Sequence, residues 1–248
     1  MRACILVGLG IAQAGCRFDF DSIAAGDGPA DRYGAAVLAD GPVAYWRFGE
    51  SSGTVAHDYL GGHPATYQGQ CKLGVPGAIA GDTAVELDGT SCRIDVGDAF
   101  AFGGGAAFTM ELWADIEIAD ATSRFLVSRD TPGGISNGYQ LPFQATALWF
   151  ERLDNAGGDG YVNAGPPTVH QFEMIAITYD GTVQRFYRDG TEITSATVTM
   201  PEAAAPGALA FGDTARQVSA KFAGVLDEIA FYDKALPPAR VAAHFAAR

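Results

Sequence analysis

The stretch FTMELWADIEI holds the residues best suited to recognising a sugar. Side chains two apart in an extended strand share a face, so Trp113 stands between Glu111 and Asp115 on one side of it. An indole gives a sugar ring an apolar platform, and flanking carboxylates accept hydrogen bonds from its hydroxyls. The competing reading makes Trp113 part of an ordinary sheet surface partly covered by a loop. Signatures of other chemistries are missing: the chain has no H-E-x-x-H and no phosphate loop ending in Gly-Lys-Ser/Thr. His170 and His244 are expected to be partly buried with a hydrogen-bond partner rather than catalytic. The acidic, Gly-rich run from Asp154 to Gly160 lacks the spacing of an EF-hand and reads as a solvated loop.

Composition narrows the partners. Sixteen Lys and Arg against 29 Asp and Glu give a net charge of −13, which repels nucleic-acid phosphates and anionic membranes. With 48% hydrophobic and only 18% charged residues in a chain of 248, the protein folds around a substantial core rather than remaining disordered. Its 32 Gly and 12 Pro lie among short apolar runs, as expected of an all-β protein with many tight turns.

The N-terminus reads as an export signal: Arg2 precedes an apolar run from Ala3 to Ile11 that is too short to span a bilayer. Two cleavage sites compete. Ala12-Gln13-Ala14 suits ordinary signal peptidase, while Ala14-Gly15-Cys16 resembles the end of a bacterial lipobox, although Gln13 stands where an aliphatic residue is preferred. Ordinary cleavage leaves the odd set Cys16, Cys71 and Cys92, whereas lipidation of Cys16 leaves Cys71 and Cys92 as an even pair to bridge. The second reading is favoured. It gives a leader over residues 1–15, a tether without regular structure over 16–32, and one domain over 33–248, set in the cell envelope as an outer-membrane lipoprotein or otherwise secreted.

Strand signals fill that domain. Phe108, Met110, Leu112, Ala114, Ile116 and Ile118 alternate with more polar neighbours, which puts this set on the core face of a sheet. Comparable runs occur at Ala84–Leu87, Arg93–Val96, Phe125–Ser128, Tyr139–Phe143, Leu148–Arg152, Phe172–Tyr179, Val183–Arg188, Ala208–Phe211 and Val225–Tyr232. Asp180-Gly181 and Asp189-Gly190 are hairpin turn signals. The one good helix signal is Pro237-Pro238 leading into ARVAAHFAAR, with Val241 and Phe245 on one face. Together these predict an all-β sandwich of two antiparallel sheets with a short C-terminal helix.

In family order, the segments AVLADGPVAYWRFGESSGTVAHDYLGGHPATYQG, AVELDGTSCRIDVGD, FTMELWADI, HQFEMIAITYDG, RFYRDGTEI and FAGVLDEIAFYDKAL resemble the laminin G-like, concanavalin A-type jelly roll of bacterial extracellular proteins. The resemblance implies a binding or adhesion module, here for a polysaccharide or surface glycoprotein, with a membrane reached only through a lipid anchor. It also implies a structural calcium ion, with Asp58 and Asp227 at the matching positions. Hard oxygen donors suit that ion, but Asp58 capping a turn while Asp227 and Glu228 pair with Arg47 needs no metal. Laminarinase-type enzymes of this fold carry E-x-D-x-x-E on one strand. Glu111, Asp115 and Glu117 are spaced E-x-x-x-D-x-E instead, which places a glycan-cleaving enzyme behind a binding module, with a structural component of a surface complex as the remaining alternative.

Overall fold

The computed structural model describes residues 31–131, 134–154, 159–199, 206–214 and 221–248. The leader, Cys16 and nearly all of the expected tether lie outside these residues. In chain order the elements begin with α1 (Arg32–Ala39), β1 (Ala44–Trp46), β2 (Val55–Ala56), β3 (Ala65–Gln68), β4 (Lys72–Pro76), β5 (Thr83–Asp88) and β6 (Arg93–Gly97). They continue with β7 (Phe108–Ile116), β8 (Arg124–Thr131), β9 (Gly134–Gln144), β10 (Ala147–Leu153), β11 (Asp159–Asn163), β12 (Glu173–Tyr179) and β13 (Val183–Arg188). Last come β14 (Thr191–Thr197), β15 (Ala208–Phe211), β16 (Ala223–Tyr232) and α2 (Pro238–Ala246).

The strands form two antiparallel sheets. The first has the order β14-β13-β12-β7-β16-β5-β4, with β1 also paired to β16, and the second has the order β11-β10-β9-β8-β15-β6-β3-β2. Both Asp-Gly signals make hairpins, joining β12 to β13 and β13 to β14. Asp189 and Gly190 both have positive φ, the backbone that a tight two-residue hairpin turn requires. A Cβ on Gly190 would come within 2.9 Å of the Phe245 side chain, so this turn is also where α2 closes on the sheet.

The inner faces meet in one aromatic core. Trp46 is fully buried, with its ring 5.2 Å from Phe211 of the second sheet and 6.0 Å from Phe231 of the first. Its Nε1 donates to the His63 carbonyl, so its polar atom is satisfied. Of the alternating set on β7, Phe108 through Ile116 join this core, but Ile118 lies beyond the end of the strand and is exposed.

Cys71 and Cys92 form a disulfide with Cα atoms 4.9 Å apart. Each sits at a corner where the chain changes sheet, Cys71 between β3 and β4 and Cys92 between β5 and β6, so the bond clamps two adjacent crossings.

The helices depart from the sequence reading. α2 forms as expected, but α1 begins at Arg32, where a structureless tether was expected. Asp31 caps it by accepting from the Gly34 N–H, and Tyr33 and Val37 bury against the first sheet. No helix among the described residues is long and apolar enough to cross a membrane. Replacing Trp46 with Ala is expected to cost about 3–5 kcal/mol, since the ring has neighbours in both sheets. Chemical denaturation checks this, and a near-normal midpoint would contradict the sheet-to-sheet role.

Candidate functional site

The expected sugar platform on β7 is sealed. Trp113 is 2% exposed, its ring 5.9 Å from Tyr33 of α1 and stacked at 5.9 Å on Phe245 of α2. Glu111 is fully buried, accepting from the Tyr232 hydroxyl at 2.8 Å and facing His244 Nδ1 at 2.9 Å. Asp115 alone of the three stays half-buried. The physical reason is that α1 and α2 pack across this outer face, turning a second stripe of Tyr45, Trp113, Met174, Tyr187 and Tyr232 into a minor core.

His244 ties the helices to the sheet, because its Nε2 also meets Asp40 at the end of α1, and Asp40 pairs with Arg240 at 2.7 Å. Burial pulls this imidazole down, but the Glu111 and Asp40 carboxylates outweigh burial and leave it above its ordinary value. Its contribution to stability is therefore complete below the unfolded value near 6.5 and is lost as pH rises through the raised folded value. Wild-type melting temperature is expected to fall across that window, and His244→Gln should flatten the slope; parallel curves for the two proteins would refute this. His170, by contrast, is exposed, and its backbone N–H donates to the Ile116 carbonyl.

A second set of groups gathers at a bulge in β16. The strand pairs with β5 through Leu226 and with β1 from Ile229 onward, and between them one extra residue enters opposite β7. Glu228 there has φ 52°. Ligand atoms of Asp82, Asp227 and Glu228 all lie within 4.8 Å of one another. Asp227 Oδ2 accepts from the Ala78 N–H at 2.8 Å, while its Oδ1 is buried without a partner. Gly77 permits this approach, since a Cβ there would sit 2.5 Å from Oδ2. Glu228 accepts from the Tyr45 hydroxyl and from Arg47, whose guanidinium also reaches Asp82 and Asp31 at 2.7 Å each. Burial raises both Asp227 and Glu228 well above the usual carboxylate range, and their neighbouring carboxylates push the same way.

Asp58, the expected partner of Asp227, stands outside this cluster. Its carboxylate accepts from the N–H groups of Tyr45, Leu60, Gly62 and His63, which is the turn-capping role. The pairing of Glu228 with Arg47 likewise matches the metal-free reading. Asp82 was not visible as a member, because it lies in the turn between β4 and β5 and nothing in its spacing relates it to β16. The donor set nevertheless fits a hard cation: three carboxylates, an orphaned buried oxygen, and one guanidinium set against them and Asp31.

The outer face of the second sheet carries a different cluster. On β10, Leu148 and Phe150 point into the core, so Trp149 and Glu151 point outward, and on β11 Val162 points inward while Tyr161 and Asn163 point outward. The register sets Trp149 opposite Asn163 and Glu151 opposite Tyr161. Asn163 Nδ2 donates to the Tyr161 hydroxyl at 3.1 Å, and Tyr161 is 46% exposed. Two aromatics, a carboxylate and an amide thus form one patch, with the Trp-x-acid spacing first noticed around Trp113. Sequence reading placed β10 but missed β11, which is short and interrupted by Gly160. Gly134-Ile135-Ser136-Asn137-Gly138 has the spacing G-x-S-x-G, but this run lies inside antiparallel β9, not at the strand-to-helix turn that motif needs.

The chain belongs to the concanavalin A-like lectin/glucanases superfamily, whose laminin G-like pattern it matches over residues 88–242. No curated protein matches it in sequence. Domain 4 of AbnA, a GH43 extracellular arabinanase from Geobacillus stearothermophilus, in complex with arabinotriose, is similar over 82% of this chain and 97% of that one, with 18% identity and a TM-score of 0.64. The binding domain of Paraclostridial Mosquitocidal Protein 1 is similar over 84% of this chain and 52% of that one (15%, 0.67). A Trypanosoma rangeli sialidase is similar over 83% and 33% (15%, 0.61). The chain therefore spans about half of the toxin domain and a third of the sialidase, and at these identities the likeness is one of fold.

Proposed function

We propose that the protein is an extracytoplasmic glycan-binding module, not an enzyme, whose ligand lies on the outer face of the second sheet. The observation that carries this reading is the patch of Trp149, Glu151, Tyr161 and Asn163 on a sheet whose counterpart is covered by helices. The bound arabinotriose of the arabinanase domain and the binding role of the toxin domain support it. Against hydrolysis by the acids around Trp113, Glu111 lies beneath α2, so it cannot join Asp115 in flanking a scissile bond. Lipidation of Cys16 would place the module at the envelope, which the mass of the mature N-terminus checks. On binding neutral oligosaccharides, beginning with arabinotriose, Trp149→Ala is expected to lose about 2 kcal/mol, roughly 30-fold in affinity, with an unchanged melting temperature. Full affinity in that variant would move the site elsewhere.

We also propose one structural calcium ion held by Asp227 with Asp82 and Glu228. The unpartnered Asp227 Oδ1 favours it. Calcium should then stabilise the fold by roughly 2.7 kcal/mol at a hundredfold excess over Kd. Asp227→Asn should remove that gain without destabilising the metal-free protein, because it also removes a buried repulsion. Melting curves indifferent to calcium and to chelator would refute the ion.

A further inference from the structure

The patch around Trp149 continues across the sheet. The pairing of β10 with β9 sets Leu148 opposite Phe143 and Glu151 opposite Gln140, and the same register puts Trp149 opposite Pro142. Pro142 in turn pairs with Phe125 of β8. Leu141 and Phe143 lie in the core, and directly opposed residues share a face, so Trp149, Pro142 and Phe125 stand in one outward row. The neighbouring row through Glu151 is closed, because its Gln140 and Ser128 are buried. In the Trp149 row both aromatic residues are half-buried, and Pro142, buried between them, is the floor.

A second observation concerns the rings. Among the described residues of this sheet, the rings of Phe125, Trp149 and Tyr161 touch no other aromatic ring, whereas Tyr67, Tyr139, Phe143, Phe150 and Phe211 all pack on one. Phe125 also belongs to neither hydrophobic core. Aromatic faces on β8, β10 and β11 are thus left for a partner outside the fold. Phe125 and Trp149 lie two strands apart, about 10 Å at ~4.8 Å per strand, which is close to the advance of two rings in an extended pyranose chain. Asn163 ends the row opposite Trp149, and on the side away from Glu151 stands Gln144, two residues past Pro142, whose Nε2 donates to Ser123 at 2.8 Å. Asn163 likewise spends one N–H on Tyr161, and an amide nitrogen carries two, so each neutral side chain keeps a donor for a sugar hydroxyl.

We propose that this face binds a β-1,4-linked polysaccharide along its length rather than by its end, the chain crossing the strands with alternate sugar units stacked on Trp149 and Phe125. This rests on the reading that the Trp149 patch binds glycans. Successive rings of a β-1,4-linked chain turn over, so every second ring presents the same face to a flat sheet. An α-1,4-linked chain curls away after one platform, and a single terminal sugar reaches only one of the two.

Calorimetric titration of the protein with dimers and hexamers of β-1,4-linked glucose, mannose and N-acetylglucosamine, and with α-1,4-linked maltohexaose, tests this. The best-bound β-1,4-linked hexamer is expected to bind about tenfold more tightly than its own dimer and than maltohexaose. Phe125→Ala should remove most of that gain and leave the dimer's affinity unchanged, whereas Trp149→Ala weakens both. Phe125→Leu keeps the bulk without the flat ring, so it should show the same loss at an unchanged melting temperature. A dimer bound as tightly as its hexamer, maltohexaose bound as tightly as the β-1,4-linked hexamer, or a hexamer affinity that Phe125→Leu leaves intact would each overturn the inference, while binding that still depends on Trp149 keeps the reading beneath it. No binding of any hexamer, or binding that ignores Trp149→Ala, overturns both.

Discussion

Two sheets packed face to face have four faces, and burial of apolar side chains can use only two of them for the shared core. The Trp46, Phe211 and Phe231 contact is where that burial joins the sheets, and every functional option depends on what becomes of the two faces left over. On the first sheet the remaining face is itself rich in Tyr, Trp and Met, and leaving so much apolar area in water would be costly. Helices α1 and α2 cover it. On the second sheet the outward residues of β10 and β11, namely Trp149, Glu151, Tyr161 and Asn163, stay half-buried or exposed, although Gln140 and Ser128 farther along that face are buried.

Covering the first sheet traps charge, and the structure answers each trapped group with a partner from a distant part of the chain. Glu111 on β7 meets His244 on α2, which meets Asp40 at the end of α1, so a single imidazole joins three elements. Arg47 similarly joins β1 to the cap of α1, the turn before β5 and the bulge of β16. Such buried pairs contribute little net stability compared with apolar packing, but losing one partner is expensive, so they fix where the helices sit. Asp227 Oδ1 is left over from this arrangement as a buried oxygen without a hydrogen-bond partner.

The two-residue alternation of Phe108 to Ile116, the Asp-Gly turns and the apolar runs made most strands and their antiparallel pairing legible, because these signals arise from neighbours in the chain. Cys71 and Cys92 were legible by arithmetic, although their position at two sheet-changing corners was not. α1 was hidden because RYGAAVLA is short and its apolar stripe is narrow; it is stable through docking rather than propensity.

Local sequence could determine that β7 and β10 each present an aromatic and an acid on the outward side, with Trp113 beside Glu111 and Trp149 beside Glu151. It could not determine which of the two would meet solvent, since both are Trp and Glu at a spacing of two. A polar residue on the outer side of a strand ordinarily signals water, and Glu111 breaks that expectation because His244, more than 130 positions away, satisfies it in the dark. A still longer stretch of sequence separates Asp82 from Asp227 and Glu228. Pairing in the strand ladder follows from residues a few positions apart, whereas helix docking and carboxylate clustering depend on contacts that exist only once the sheets have packed, and those contacts decided which face and which acids remain available for a ligand.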